Sequence, residues 1–163
     1  MRRGRALVFE IAVMAAIVLA VNAYRTRGAA GGMAPALPQA TLNGPGPAIG
    51  AGRPVLIDFF ATWCPICRID QSAVAGAARH APVIVVATQS PRRAVRSFAA
   101  RHHWQVPVVL DPEGRIATRY GATVLPMAFI LGPRGRVRAV VAGYTTTAGL
   151  LARLWLAGLH LTS

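Results

Sequence analysis

Cys64 and Cys67 are the only two thiols in a chain of 163 residues, and two residues separate them. A pair at this spacing can pass between dithiol and disulfide. A mixed disulfide formed at the first sulfur lies within reach of the second, about one helical turn on. The chemistry needs an ionised first sulfur, and the surrounding residues provide for it. The apolar run Val55–Phe60 leads through Ala61-Thr62-Trp63 into Cys64-Pro65-Ile66-Cys67-Arg68. Pro65 suits a first helical position, where its missing N–H costs nothing. A cysteine at a helix start meets unpaired N–H groups and the positive end of the helix, which favour a thiolate. Asp58 is an acid within the apolar run, six residues before Cys64. Burial would raise its pKa and fit it to accept a proton from Cys67. An acid held only by hydrogen bonds or water is the other reading of Asp58.

Competing uses of the cysteines fit less well. Structural zinc wants four ligands; there is no third cysteine, and His80, His102, His103 and His160 lack the spacing of a zinc pair. A c-type haem site needs a histidine directly after the second cysteine, where Arg68 stands. A peroxidase would show a Thr-X-X-Cys pattern, which is missing. A purely structural disulfide across so short a loop would constrain little of the unfolded chain. Two thiolates with a distant histidine can still hold Cu(I), so a copper carrier stays open. Dithiol chemistry needs no cofactor and no metal.

All 18 basic residues are arginine, against 5 acids, for a formal net charge of +13. The arginines are scattered and no nucleic-acid motif accompanies them, which points to a solvated basic surface. His102-His103 reads as a solvated or capping pair, Arg68 as a solvated arginine near the site, and Trp104 and Tyr144 carry no signal.

The elements that position the cysteines fall into three regions. Residues 1–24 open with Arg2, Arg3 and Arg5, followed by Ala6–Ala23, where Glu10 and Asn22 are the clearly polar members. Eighteen such residues just span a bilayer core as a helix, and the flanking arginines place the N-terminus in the cytoplasm. Cleavage near Val21-Asn22-Ala23 as a signal peptide is the alternative. Residues 25–52, rich in Gly, Ala and Pro, read as a tether and lead-in. Residues 53–163 alternate strands and helices. The expected strands are 55–60, 83–87, 106–110, 127–131 and 136–142. The helices are 64–80, with Ile66, Ile69, Ala73, Val74 and Ala77 inward; 90–102, capped by Ser90; 115–120; and 146–159, packing Leu150, Leu151, Leu154 and Leu159.

The segment Asp58-Phe59-Phe60-Ala61-Thr62-Trp63-Cys64-Pro65-Ile66-Cys67-Arg68 resembles the active-site segment of the thioredoxin-like superfamily. It is most similar to the membrane-anchored TlpA/ResA/ScsD type, and the resemblance covers about residues 37–159. It implies an α/β thioredoxin fold after an N-terminal transmembrane helix. The mixed sheet would carry a TlpA-like insertion between Ser90 and Tyr120, and residues 37–44 would form a short hairpin along it. The implied activity is thiol–disulfide oxidoreduction on client proteins, with Cys64 attacking and Cys67 resolving. By the same resemblance Pro126 is a cis proline facing the cysteines, Leu125 offers its backbone to the substrate, and Trp63 covers the site surface. Asp58 matches thioredoxin's acid, where many TlpA-type proteins carry Asn. Localisation would be the bacterial inner membrane, single-pass, with the catalytic domain in the periplasm and a membrane electron-transfer partner. Reduction of cytochrome c apoproteins is the variant reading of the same activity.

Overall fold

The computed structural model describes residues 2–159, with side chains from Phe9 onward. The described elements are α1 (Arg2–Arg25), β1 (Val55–Phe60), α2 (Pro65–Ala78), β2 (Val83–Thr88), α3 (Arg92–Arg101), β3 (Val108–Asp111), α4 (Arg115–Tyr120), β4 (Met127–Leu131), β5 (Val137–Ala142) and α5 (Thr147–Leu159). They build a mixed sheet in the order β3-β2-β1-β4-β5. β1, β2 and β3 run parallel, joined by helical crossovers, while β4 and β5 are antiparallel additions on the other side of β1. This is the α/β thioredoxin-like architecture that the resemblance implied.

β1 is central and buried along its whole length, as a strand covered on both faces must be. Its period of two divides the core. Leu56 and Phe60 join Cys64, Cys67, Val74, Phe98, Trp104 and Leu150 on one face. Val55, Ile57 and Phe59 join Ile116, Tyr120 and Phe129 on the other. Asp58, lying between Leu56 and Phe60, projects to the face that holds the cysteines. Aromatic rings fill both layers, with Phe60 against Phe98 and Phe59 against Tyr120 at centroid distances of 4.8 and 5.1 Å.

The expected strands and helices all form, but the hairpin and several packing assignments need correction. On α2 the buried residues are Cys67, Asp70, Gln71, Ala73, Val74, Gly76 and Ala77. Ile66 and Ile69 are instead 51% and 63% exposed. The inward stripe runs at three- and four-residue steps from Cys67 through Asp70, Gln71 and Val74, because hydrogen bonds satisfy the two polar members there. Ser90 does not cap α3: Pro91 holds the N-cap position with no side-chain hydrogen bond. Leu150 and Leu154 pack as expected, but Leu159 is 55% exposed at the end of α5. Residues 37–44 form no hairpin. Leu42 N–H donates to Val108 O beside β3, and prolines at 38, 45 and 47 supply no N–H for a ladder.

Residues 29–37 lie against the second core face. Ala29, Ala34 and Leu37 pack on it, and Tyr120 Oη donates to Pro35 O at 2.6 Å. The expected membrane span, residues 6–23, is helical within α1. Among the described residues no helix is long and apolar enough to cross a membrane.

Helix α2 meets α5 at Gly76, where any Cβ would collide with the Thr147 side chain. Gly76→Ala should therefore carry the usual overpacking cost of about 1–3 kcal/mol. Set against the roughly 1 kcal/mol by which alanine improves a helix interior, the net loss of stability should reach about 2 kcal/mol. Thr147→Ala in the same chain should return part of the loss, since it removes the two nearest atoms. Urea unfolding of the four-variant cycle measures this, and a stabilised Gly76→Ala would contradict the close approach.

Candidate active site

Cys64 is the N-cap of α2, with extended backbone (φ −83°, ψ 114°), and Pro65 takes the first helical position. Its Sγ accepts the Cys67 N–H at 3.2 Å. A disulfide joins the two residues, whose Cα atoms are 5.3 Å apart. Cys64 keeps a small exposure of 6%, whereas Cys67 is fully buried. An incoming sulfur can therefore reach only the first. In the dithiol form the same N–H and the helix terminus stabilise a Cys64 thiolate.

The loop before Cys64 is fastened to the loop after β2. Thr62 N–H donates to Ser90 Oγ at 3.0 Å, and Trp63 Nε1–H donates to Gln89 O at 2.9 Å. Gln89 holds a left-handed φ of 46°, strained for a residue with a side chain. Ser90, expected to cap a helix, serves this fastening instead. Trp63 remains 55% exposed and shares a concavity of about 210 Å³ with Cys64, Gln89, Ala122, Thr123 and Leu125. The Leu125–Pro126 peptide bond is cis. Pro126 is buried, and its carbonyl accepts Gly143 N–H at 2.8 Å. Trp63, Cys64 and Leu125 are thus brought to one depression at the protein surface.

Asp58 lies behind the cysteines, wholly buried. Its Oδ2 accepts from Gln71 Nε2 at 3.2 Å, and its Oδ1 has no partner. Burial pushes its pKa well above the usual carboxylate range; the charge of Asp70 adds to this and the Gln71 hydrogen bond opposes it. Asp70, 1% exposed, accepts Thr145 N–H at 2.8 Å, and burial raises its pKa too. Asp70, Gln71 and Gln89 were not singled out by the sequence, and Ser90 only as a helix cap. The stripe at three- and four-residue spacing from Cys67 would have found the first two. A third buried acid, Asp111, accepts from Thr88 Oγ1 and from the N–H groups of Ile116 and Ala117, well satisfied at the start of α4. Among the described residues no cluster of three or more His, Cys, Asp or Glu is placed to hold a metal.

A profile of the AhpC/TSA family matches residues 47–140, more than half of the chain and the whole stretch from the lead-in to β5. The chain belongs to the AhpC/TSA family. The chain is 29% identical over 100 residues to the thiol-disulfide oxidoreductase ResA of Bacillus subtilis, covering 58% of this chain and 56% of ResA. It is 32% identical over 83 residues to a thiol:disulfide interchange protein DsbE homolog of Paracoccus denitrificans, covering 50% and 46%. The chain thus spans about half the length of these curated relatives. A crystal structure of a Chlorobium tepidum protein assigned as DsbE superposes with a TM-score of 0.64 at 23% identity, over 78% of this chain and 96% of that one. That likeness shows a shared fold for this AhpC/TSA member.

Proposed function

We propose that the protein is an extracytoplasmic thiol–disulfide oxidoreductase that exchanges electrons with client proteins through Cys64-Pro65-Ile66-Cys67. The observation that carries the reading is the asymmetric pair at the start of α2: Cys64 slightly exposed with the Cys67 N–H aimed at its sulfur, Cys67 fully buried. Relatives named a thiol-disulfide oxidoreductase and a thiol:disulfide interchange protein support it.

In the reducing direction the Cys64 thiolate attacks a client disulfide, forming a Cys64–client bond as one client sulfur leaves as thiolate. Cys67 then attacks Cys64 Sγ, the second client sulfur leaves, and the chain ends as the disulfide. Two electrons have passed to the client, whose two sulfurs leave as thiolates and take their protons from solvent. Asp58 takes the Cys67 proton as that sulfur becomes the nucleophile. Trp63, Leu125 and Pro126 form the surface on which the client strand docks. The cycle closes when a dithiol partner in the membrane re-reduces the pair. No cofactor enters any step. Reduced protein mixed with an equimolar disulfide-bonded client should lose two thiols as the client gains two; unchanged thiol counts would refute the activity.

We place the catalytic domain, residues 53–163, outside the cytoplasm on an anchor formed by α1. Phe9, Met14, Ile17, Val18 and Leu19 are each more than half exposed, and no polar face interrupts them apart from Glu10. A helix apolar all round suits a lipid surrounding. Counted in the sequence from Ala6, ahead of the first described side chain, the apolar stretch reaches 18 residues, within the roughly 17–25 that span a bilayer. A reporter active only outside the cytoplasm, fused after Ser163, should work. A working cytoplasmic reporter at the same position would reverse the orientation.

A further inference from the structure

Near the cysteines, the active-site loop, α2 and α3 line another concavity of about 460 Å³, which shares no lining residue with the Trp63–Leu125 depression. Thr62, two residues before Cys64, and Arg68, directly after Cys67, form one wall. Ser97, Arg101 and His102 on and after α3 form the other. His102 is held in place by stacking on Phe98, ring centroids 4.2 Å apart. No acid lines the concavity, and neither Arg68 nor Arg101 has a hydrogen-bond or ion-pair partner among the described residues.

Carboxylates are scarce elsewhere among the described residues: Asp58, Asp70 and Asp111 are buried, Glu113 lies 3.8 Å from Arg115, and Glu10 is exposed on α1. Two arginines without a partner that line one polar hollow suit a carboxylate, which accepts paired N–H groups in a fork.

We propose that this concavity is a recognition subsite for acidic residues next to the client's reacting cysteine. The inference rests on the thiol–disulfide exchange reading and names the client class. A client strand whose sulfur meets Cys64 can lay a neighbouring Asp or Glu between Arg68 and Arg101, while its own backbone lies along Trp63 and Leu125. Charge pairs at the rim of an interface act chiefly on encounter rate and on the choice of partner.

The test uses the full reduced chain in detergent and three disulfide-bonded peptides that differ only in carrying Glu, Gln or Lys beside the cysteine. The second-order rate of thiol loss is read at low and high salt. The Glu peptide should react about tenfold faster than the Gln peptide at low ionic strength, and the advantage should shrink toward unity near 1 M salt, where the Debye length is about 3 Å. Arg68→Gln and Arg101→Gln should each slow the Glu peptide about threefold and leave the Gln peptide unchanged. Arg101→Glu should turn the preference toward the Lys peptide. Arg153→Gln, on α5, is the control for diffuse charge. If it costs the Glu peptide as much as Arg101→Gln does, the preference belongs to the whole surface and the subsite is overturned. Equal rates for the Glu and Gln peptides overturn the subsite while leaving the exchange reading intact. No reaction with any peptide overturns the exchange reading and the subsite with it.

Discussion

Cys67→Ala should accumulate client proteins covalently held on Cys64, visible as high-mass bands that vanish on reduction. Cys64→Ala should accumulate none. The expectation follows from unequal access: Cys64 is 6% exposed at the helix cap, whereas Cys67 is fully buried and can be reached only by the sulfur of Cys64. Once Cys67 is gone, nothing inside the protein can attack the mixed disulfide, so release waits on external thiols. Either substitution should reduce multiple turnover to background. With the pair reduced, the Cys64 pKa should fall within the roughly 3.5–7.5 range of thiols activated at helix starts. Alkylation at neutral pH should therefore label Cys64 first. Labelling of Cys67 alone would reverse the assignment of roles.

Asp58→Asn should slow turnover, flatten its dependence on pH, and make the folded protein more stable at neutral and alkaline pH. The stability half follows from linkage. Burial raises the folded-state pKa of Asp58 above its unfolded value, so between the two values the native state holds a proton that the unfolded state has lost. Stability is then full below the unfolded pKa and declines as pH rises through the folded one. Asparagine carries no charge to bury, keeps the oxygen that accepts from Gln71, and removes the decline. Each kcal/mol recovered is worth about 4–8 °C in Tm for a domain of this size. Melting curves across pH on the oxidised form measure it, because the cysteines do not titrate there. The catalytic half needs the proton to have somewhere to go when Cys67 becomes nucleophilic. An unchanged pH–rate profile in Asp58→Asn would leave Asp58 a structural acid, while the stability effect would stand independently.

The fold was legible because its signals were local and redundant. Met127–Leu131 is apolar without interruption and Val55–Phe60 apolar but for Asp58, and both form strands with the expected limits. The Cys64-Pro65 start of α2 carries its own punctuation. What escaped the sequence was the phase of α2. Counting apolar residues put Ile66 and Ile69 inward, yet the core side is set by Cys67 and includes Asp70 and Gln71. Those two look like surface residues until their partners, Thr145 and Asp58, are known, and the partners lie 75 and 13 residues away. Ser90 misled in a related way. A serine before a proline and a run of helix formers reads as a cap, but its hydroxyl is taken by Thr62 from the active-site loop. Tertiary hydrogen bonds of this kind leave no periodic trace.

β5 has a partner on one side only, β4, and its outer margin would be a row of bare N–H and C=O groups. The N-terminal segment occupies part of that margin. Asn22 Oδ1 accepts Ala142 N–H, and Asn22 Nδ2 donates to Val140 O. Farther along, Val137 N–H donates to Gly32 O, and Met33 bridges Arg136. The stretch that reads as a tether is therefore also a cover for the open side of the sheet. Trimming the chain to begin at Arg53, the natural choice for a soluble fragment, would strip that cover from β5. An uncovered strand margin templates pairing with another chain. Such a fragment should keep its cysteine chemistry yet self-associate through β5, and a fragment beginning at Gly28, which retains Gly32 and Met33, should do so less.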